Sequence, residues 1–141
     1  MTVELFTLPP TAGEFVELRA ACGWGAVEMA VAERALAAGL VNVVARDGGR
    51  LAGFGRVVGD GVLYFYVQDV IVHPDFRGRG VGRLIVELML AEVLKRAPVG
   101  ATIGLMAAEG KEGFYGVRLH SPPTDRLGAG MTRFVLQEIA A

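Results

Sequence analysis

Residues 67–83 read VQDVIVHPDFRGRGVGR. The run opens as an apolar strand, breaks at His73-Pro74 and enters a loop carrying Gly78, Gly80 and Gly82. A helix is predicted to follow over residues 81–96, VGRLIVELMLAEVLKR. Strand, glycine-arginine loop and helix, in that order, form a device for holding a phosphorylated ligand. Glycines let backbone N–H groups converge on one point. The first helical turn adds unpaired N–H groups and the positive end of the helix dipole. Arg77, Arg79 and Arg83 add formal charge beside them, and Asp75 is the only acid in the loop.

Three phosphate-binding patterns compete for this stretch. A Walker A loop needs G-x-x-x-x-G-K-[ST], and no Lys-Ser or Lys-Thr occurs anywhere in the chain. A dinucleotide fingerprint needs G-x-G-x-x-G; Gly78 and Gly80 fit, but Arg83 stands where the third glycine belongs. The third pattern, [QR]-x-x-G-x-[GA], is met at every position by Arg77-Gly78-Arg79-Gly80-Val81-Gly82. It is preceded by a V-x-V-x-P formed by Val70, Val72 and Pro74.

The whole chain sets the bounds. Its 141 residues suit one domain, 1–141, large enough for a real core. Hydrophobic residues make up 52% and charged residues 21%, and the net charge is −1, so no overall basic field favours nucleic acid. No apolar run approaches the ~18 residues a membrane span needs. The opening MTVELFTLPP lacks a basic segment followed by an apolar one, so no signal peptide is expected. The single cysteine, Cys22, excludes an internal disulfide and suits a reducing cytoplasm. It has no histidine near it in sequence and reads as a packing residue. No metal is expected.

Residues 3–8 alternate and end at Pro9-Pro10, which reads as a first strand. Thr11 and Glu14 make a capping box for a helix over 12–21. Gly23-Trp24-Gly25 breaks it, and a second helix is predicted over 26–38, stopped by Gly39. Strands over 41–46, 50–58 and 62–72 follow, joined by turns at Asp47-Gly48-Gly49 and Gly59-Asp60-Gly61. Gly53 and Gly55 suggest a bulge or a close backbone approach. After the helix, residues 101–107 read as a strand parallel to 62–72, because a helix connects the two. A short helix over 109–117 and a last strand over 131–138 complete the chain. The expected fold is a mixed α/β sheet, mostly antiparallel, with flanking helices.

That order and the loop at 77–82 resemble the GNAT superfamily of N-acetyltransferases along essentially the whole chain. Phe114-Tyr115 is similar to the family's F-Y-x-x-x-G-F segment, with Leu119-His120 standing where Gly-Phe is usual. The family's common asparagine ahead of the tyrosine is missing. Gly23-Trp24, Tyr66-Val67-Gln68-Asp69 and Gly130-Met131 look like a group of small bacterial acetyltransferases with no assigned substrate. The resemblance implies acetyl-CoA as co-substrate. Its pyrophosphate would lie on Arg77, Gly78, Arg79, Gly80, Val81 and Gly82, and its pantetheine arm along Val70, Ile71 and Val72. The implied acceptor is an amine of a small molecule or protein. Dimers are common in the family, so a homodimer is implied as well. The altered segment after Tyr115 leaves an alternative, a non-catalytic acyl-CoA sensor on the same fold.

Acetyl transfer to an amine needs a held donor, a neutral amine, stabilisation of a tetrahedral oxyanion and a proton for the leaving thiolate. Tyr115, by the resemblance the general acid, has a reference pKa of ~10, near enough a thiol's ~8.5 to donate. Exposed backbone at Val70 and Val72 can pair with pantetheine amides as an added strand would. Strict alternation along 62–72 sets Tyr64, Tyr66, Gln68, Val70 and Val72 on one face and Phe65, Val67, Asp69 and Ile71 on the other. Gln68 can orient an amine or a water, and Trp24 and Tyr66 are candidates for the acceptor pocket. Asp69 reads as structural, bonded to nearby backbone, before it reads as a base. His73 and His120 read as solvent-facing.

Overall fold

The computed structural model describes residues 2–106 and 130–134. Six strands form one sheet in chain order: β1 (Glu4–Phe6), β2 (Val41–Asp47), β3 (Arg50–Gly59), β4 (Tyr64–Val72), β5 (Thr102–Met106) and β6 (Gly130–Phe134). Every neighbouring pair is antiparallel except β4 and β5, which run parallel and are joined by helix α3 (Val81–Arg96). A helical crossover is what a parallel pair requires. The mixed, mostly antiparallel sheet is therefore as expected. The short helix predicted over 109–117 lies outside the described residues.

Helices α1 (Ala12–Ala21) and α2 (Met29–Ala37) cover one face of the sheet. Phe15, Leu18, Ala32 and Leu36 pack there on Val44, Phe54 and Ile71. Helix α3 covers the other face with Val81, Ile85, Val86, Met89, Leu90 and Val93, a spacing that keeps one helical stripe inward. Its partners include Val43, Val57, Phe65 and Val67. Gly53 and Gly55 admit α3 against β3: a Cβ on Gly55 would stand 2.5 Å from Ile85 Cγ2 and 2.6 Å from Met89 Sδ. The close approach expected there is found.

Several boundaries differ from the sequence reading. The second helix begins at Met29, with Glu28 extended at its N-cap and no side-chain cap. Val62 and Leu63 are not in the strand. Asp60 Oδ1 accepts from the N–H groups of Val62, Leu63 and Tyr64, each at 2.9 Å, which folds those residues into the turn. No described helix is long and apolar enough to cross a membrane.

The largest departure lies in β4. Arg56 faces Asp69 and Val57 faces Val67, so Gln68 is an extra residue, a bulge. One extra residue reverses the side-chain parity. Val67 packs with the α3-side core, Val70 and Val72 pack against that same core, and Ile71 packs beneath α1 and α2. Strict alternation is thus corrected: Val70 and Val72 do not share a face with Tyr66, and Asp69 does not share one with Phe65 and Val67.

Candidate active site

The site is built where β4 and β5 part. Their pairing covers only Tyr64, Tyr66 and the residue between, opposite Thr102 to Gly104. From Val67 onward the β5-facing edge of β4 has no strand against it among the described residues. His73 N–H donates to Ala52 O at 2.8 Å, toward β3. By backbone alternation Val72 and Val70 turn their N–H and C=O groups the other way, into the fork. Val72 O already meets two side chains there, Arg77 Nε at 3.2 Å and Cys22 Sγ at 3.4 Å.

Beyond β4 the chain makes a single turn of 3-10 helix, Pro74–Phe76. His73 caps it, its Nδ1 accepting from Asp75 N–H at 3.1 Å. Phe76 is buried and anchors the turn, with the Arg50 guanidinium 5.0 Å over its ring. Arg50 also reaches Asp75 Oδ2 at 2.8 Å, and this contact leads the causes that hold the Asp75 carboxyl below its ordinary range. The one acid of the loop is thereby neutralised. Sequence reasoning missed this, because Arg50 comes from the start of β3, distant in sequence. His73 is a cap rather than a free solvent-facing group.

Gly78 and Gly80 then take left-handed φ values of 75° and 79°, and Gly80 is the N-cap of α3 with no side-chain cap. A Cβ on Gly78 would meet nothing within 4 Å, and one on Gly80 would meet only the Arg83 guanidinium, at 3.7 Å and beyond. The space in front of the helix start is open, the first α3 amides face it without intrahelical acceptors, and Arg83 stands beside it. This cradle fits a pyrophosphate, and the forked edge next to it fits an extended amide-bearing arm.

The remaining predicted residues are distributed as follows. Gln68 is exposed at the bulge, Tyr66 is half-buried on β4, and Trp24 is 42% exposed at the α1–α2 break. Arg19 holds that break, its guanidinium 5.7 Å from the Trp24 ring and Nη2 donating to Trp24 O at 3.1 Å. Asp69 is buried, and among the described residues its Oδ2 faces the Arg56 guanidinium, 3.0 Å from Nε. Tyr115 and His120 lie outside the described residues. A separate cleft of about 260 Å³ opens between α1 and the β2–β3 turn, with His73 at its edge. Arg50 and His73, which hold the loop after β4, both line it.

A sequence model described as an acetyltransferase (GNAT) domain matches residues 38–117, more than half of the chain. The chain belongs to the GNAT acetyltransferase family. The match contains the fork, the loop and α3. Among relatives of this GNAT chain, a rice protein named serotonin N-acetyltransferase 2, chloroplastic, is 36% identical over 76 residues, 54% of this chain and 37% of the relative. The chain spans about 37% of the length of the curated relatives it matches. A probable acetyltransferase of unknown function from meticillin-resistant Staphylococcus aureus superposes with a TM-score of 0.80 at 28% identity, covering 88% of this chain and 92% of that one. A GNAT-family acetyltransferase from Streptococcus pneumoniae TIGR4 gives 0.70 at 29% identity, covering 83% and 86%.

Proposed function

We propose that this GNAT protein transfers an acetyl group from acetyl-CoA to a primary amine, as a single domain acting in the cytoplasm. One observation carries the reading: an open, positively flanked helix start lies directly beside a parting strand pair whose backbone faces the gap. The pyrophosphate takes the amides of residues 78–82, with Arg83 at its side. The pantetheine arm pairs with Val70 and Val72 in the fork. A fork-facing N–H of β4 meets the thioester oxygen as negative charge develops on it.

The amine nitrogen forms the new N–C bond at the carbonyl, and the C–S bond breaks as the oxyanion collapses. Tyr115 gives its proton to the departing thiolate. The amine loses its own proton to water held near Gln68, because Asp69 is turned into its ion pair with Arg56. The acceptor is an amine of a small molecule or of a protein, approaching past Trp24 and Tyr66. The rice relative's name places serotonin first among the amines to test.

The test is thiol release from acetyl-CoA with a panel of amines that includes serotonin, polyamines and peptide N-termini. At least one amine is expected to turn over. Tyr115→Phe is expected to lower kcat by ~10²–10⁴-fold while leaving the KM for acetyl-CoA nearly intact, since only the proton donor is lost. CoA binding without turnover of any amine replaces this reading with an acyl-CoA sensor, whereas a fully active Tyr115→Phe leaves water as the acid.

A further inference from the structure

Arg56 and Asp69 are charged residues placed where the surrounding sheet is apolar. They are register partners on β3 and β4, on the residue pair adjoining the bulge. Asp69 is 3% exposed, and its Oδ2 lies 3.0 Å from Arg56 Nε. Arg56 Nη1 donates to Ala35 O at 2.9 Å, near the C-terminal end of α2. The corner is tight: a Cβ on Gly39 would stand 3.4 Å from Arg56 Cδ and 3.0 Å from Asn42 Oδ1. One guanidinium thus ties α2, β3 and β4 together just past the point where the sheet forks.

Stability does not account for this pair. A buried ion pair loses hydration on both partners, and apolar replacements of similar size are often neutral or stabilising. Register does account for it. Buried Phe54, Phe65 and Ile71 fix the faces of the flanking residues, but the β3 residues paired closest to the bulge offer little to place it: Gly55 has no side chain, and Val57 can meet any apolar neighbour. A bulge moved by one residue displaces the backbone by ~3.3 Å and turns the intervening side chains to the other face. Only one placement sets Asp69 opposite Arg56.

We infer that the Arg56–Asp69 pair pins the bulge at Gln68 and so positions the β4 backbone that receives the acyl group; the inference rests on the acetyl transfer proposed above. Neither residue touches the donor. Both act through β4, as positioning residues, and a misplacement of ~1 Å at a reacting group can cost 10²-fold in rate.

The test is the double variant Arg56→Met with Asp69→Leu, which removes both charges and leaves no buried ion unpaired. It is expected to melt at or above the wild-type temperature and to keep its stabilisation by CoA, because the loop is untouched. The kcat for thiol release from acetyl-CoA, with serotonin or the best amine of the panel, is expected to fall by ~10²-fold at nearly constant KM for acetyl-CoA. Cross-strand NMR contacts between Val57 and Val67 are expected to weaken, whatever the acceptor. A folded double variant with wild-type kcat and wild-type contacts overturns the pinning while acetyl transfer stands. If the double variant does not fold, Asp69→Asn decides: it removes the charge at nearly constant shape, and a folded variant with wild-type kcat and wild-type contacts between Val57 and Val67 overturns the inference. A wild-type protein that neither binds CoA nor releases thiol overturns the acetyl-transfer reading, and the inference with it.

Discussion

Glu14 shows how much one carboxylate can hold together at the residue scale. Its Oε1 accepts from Thr11 N–H at 3.0 Å while Thr11 Oγ1 accepts from Glu14 N–H at 3.1 Å, closing the start of α1. Both oxygens also receive Arg46 of β2, at 2.6 and 2.8 Å. The Arg46 hydrogen bonds lead the causes that lower the Glu14 pKa from 4.5 to about 2. A depressed acid contributes stability that is fully present above its unfolded value and lost as pH falls through its folded value. The contribution is therefore whole above pH 4.5 and is gone once pH passes below about 2. Glu14→Gln is expected to destabilise the protein by ~1–3 kcal/mol at pH 7, because the charge-assisted pair with Arg46 is lost while the amide oxygen still caps Thr11. The gap in melting temperature between variant and wild type should narrow as pH falls from 4.5 toward 2. A gap of constant size across that range would mean that the ion pair contributes nothing. The capping box was legible in the sequence because its residues are three apart. The Arg46 partner was not, since the strand register that brings it over α1 is set by the whole sheet.

At the scale of elements, the contrast between α3 and β4 is instructive. Helix α3 was legible to its ends: a glycine loop starts it, a continuous apolar stripe fills it, and Lys95-Arg96 and Pro98 close it. All of those signals are local. The bulge in β4 is not written in any local signal, because an alternating pattern has the same appearance with or without one inserted residue. Its position follows from pairing with β3, and its consequence is that Val70 and Val72 change faces relative to Tyr66. The glycines of β3 lie between these cases. Gly55 announced a close approach without saying to what, and the structure answers with Ile85 and Met89 of α3. Gly55→Ala would set a methyl group 2.5 Å from a fully buried Ile85, a distance that requires α3 to move outward. Overpacking of this kind costs ~1–3 kcal/mol, or roughly 2–12 °C of melting temperature in a chain of this size. Calorimetry checks it, and a variant as stable as wild type would show that Met89 and Ile85 repack freely.

The whole molecule brings three distant stretches to the candidate site: the start of β3 supplies Arg50, the end of β4 the forked edge, and the start of α3 the open glycine turn. The glycine turn and helix start were legible because six consecutive residues carry them. The fork was not read from the residues, since the parting of β4 from β5 depends on where their pairing stops. Ligand binding should be felt across the whole fold, because a ligand that binds only the folded chain stabilises it by mass action. At ~100 times its dissociation constant, CoA should add ~2.7 kcal/mol, a rise of roughly 5–11 °C in melting temperature. Two substitutions at Gly80 separate charge from backbone. Its φ of 79° strains any residue with a Cβ, but asparagine tolerates that conformation better than most. A Cβ there meets only the Arg83 guanidinium, so either side chain has room. Gly80→Asn should lose some stability and retain part of the CoA-induced rise. Gly80→Glu should lose comparable stability and all of the rise, because its carboxylate occupies the space where the phosphates carry the same charge. Equal CoA stabilisation of wild type and Gly80→Glu would place the pyrophosphate elsewhere and remove the cradle from the site.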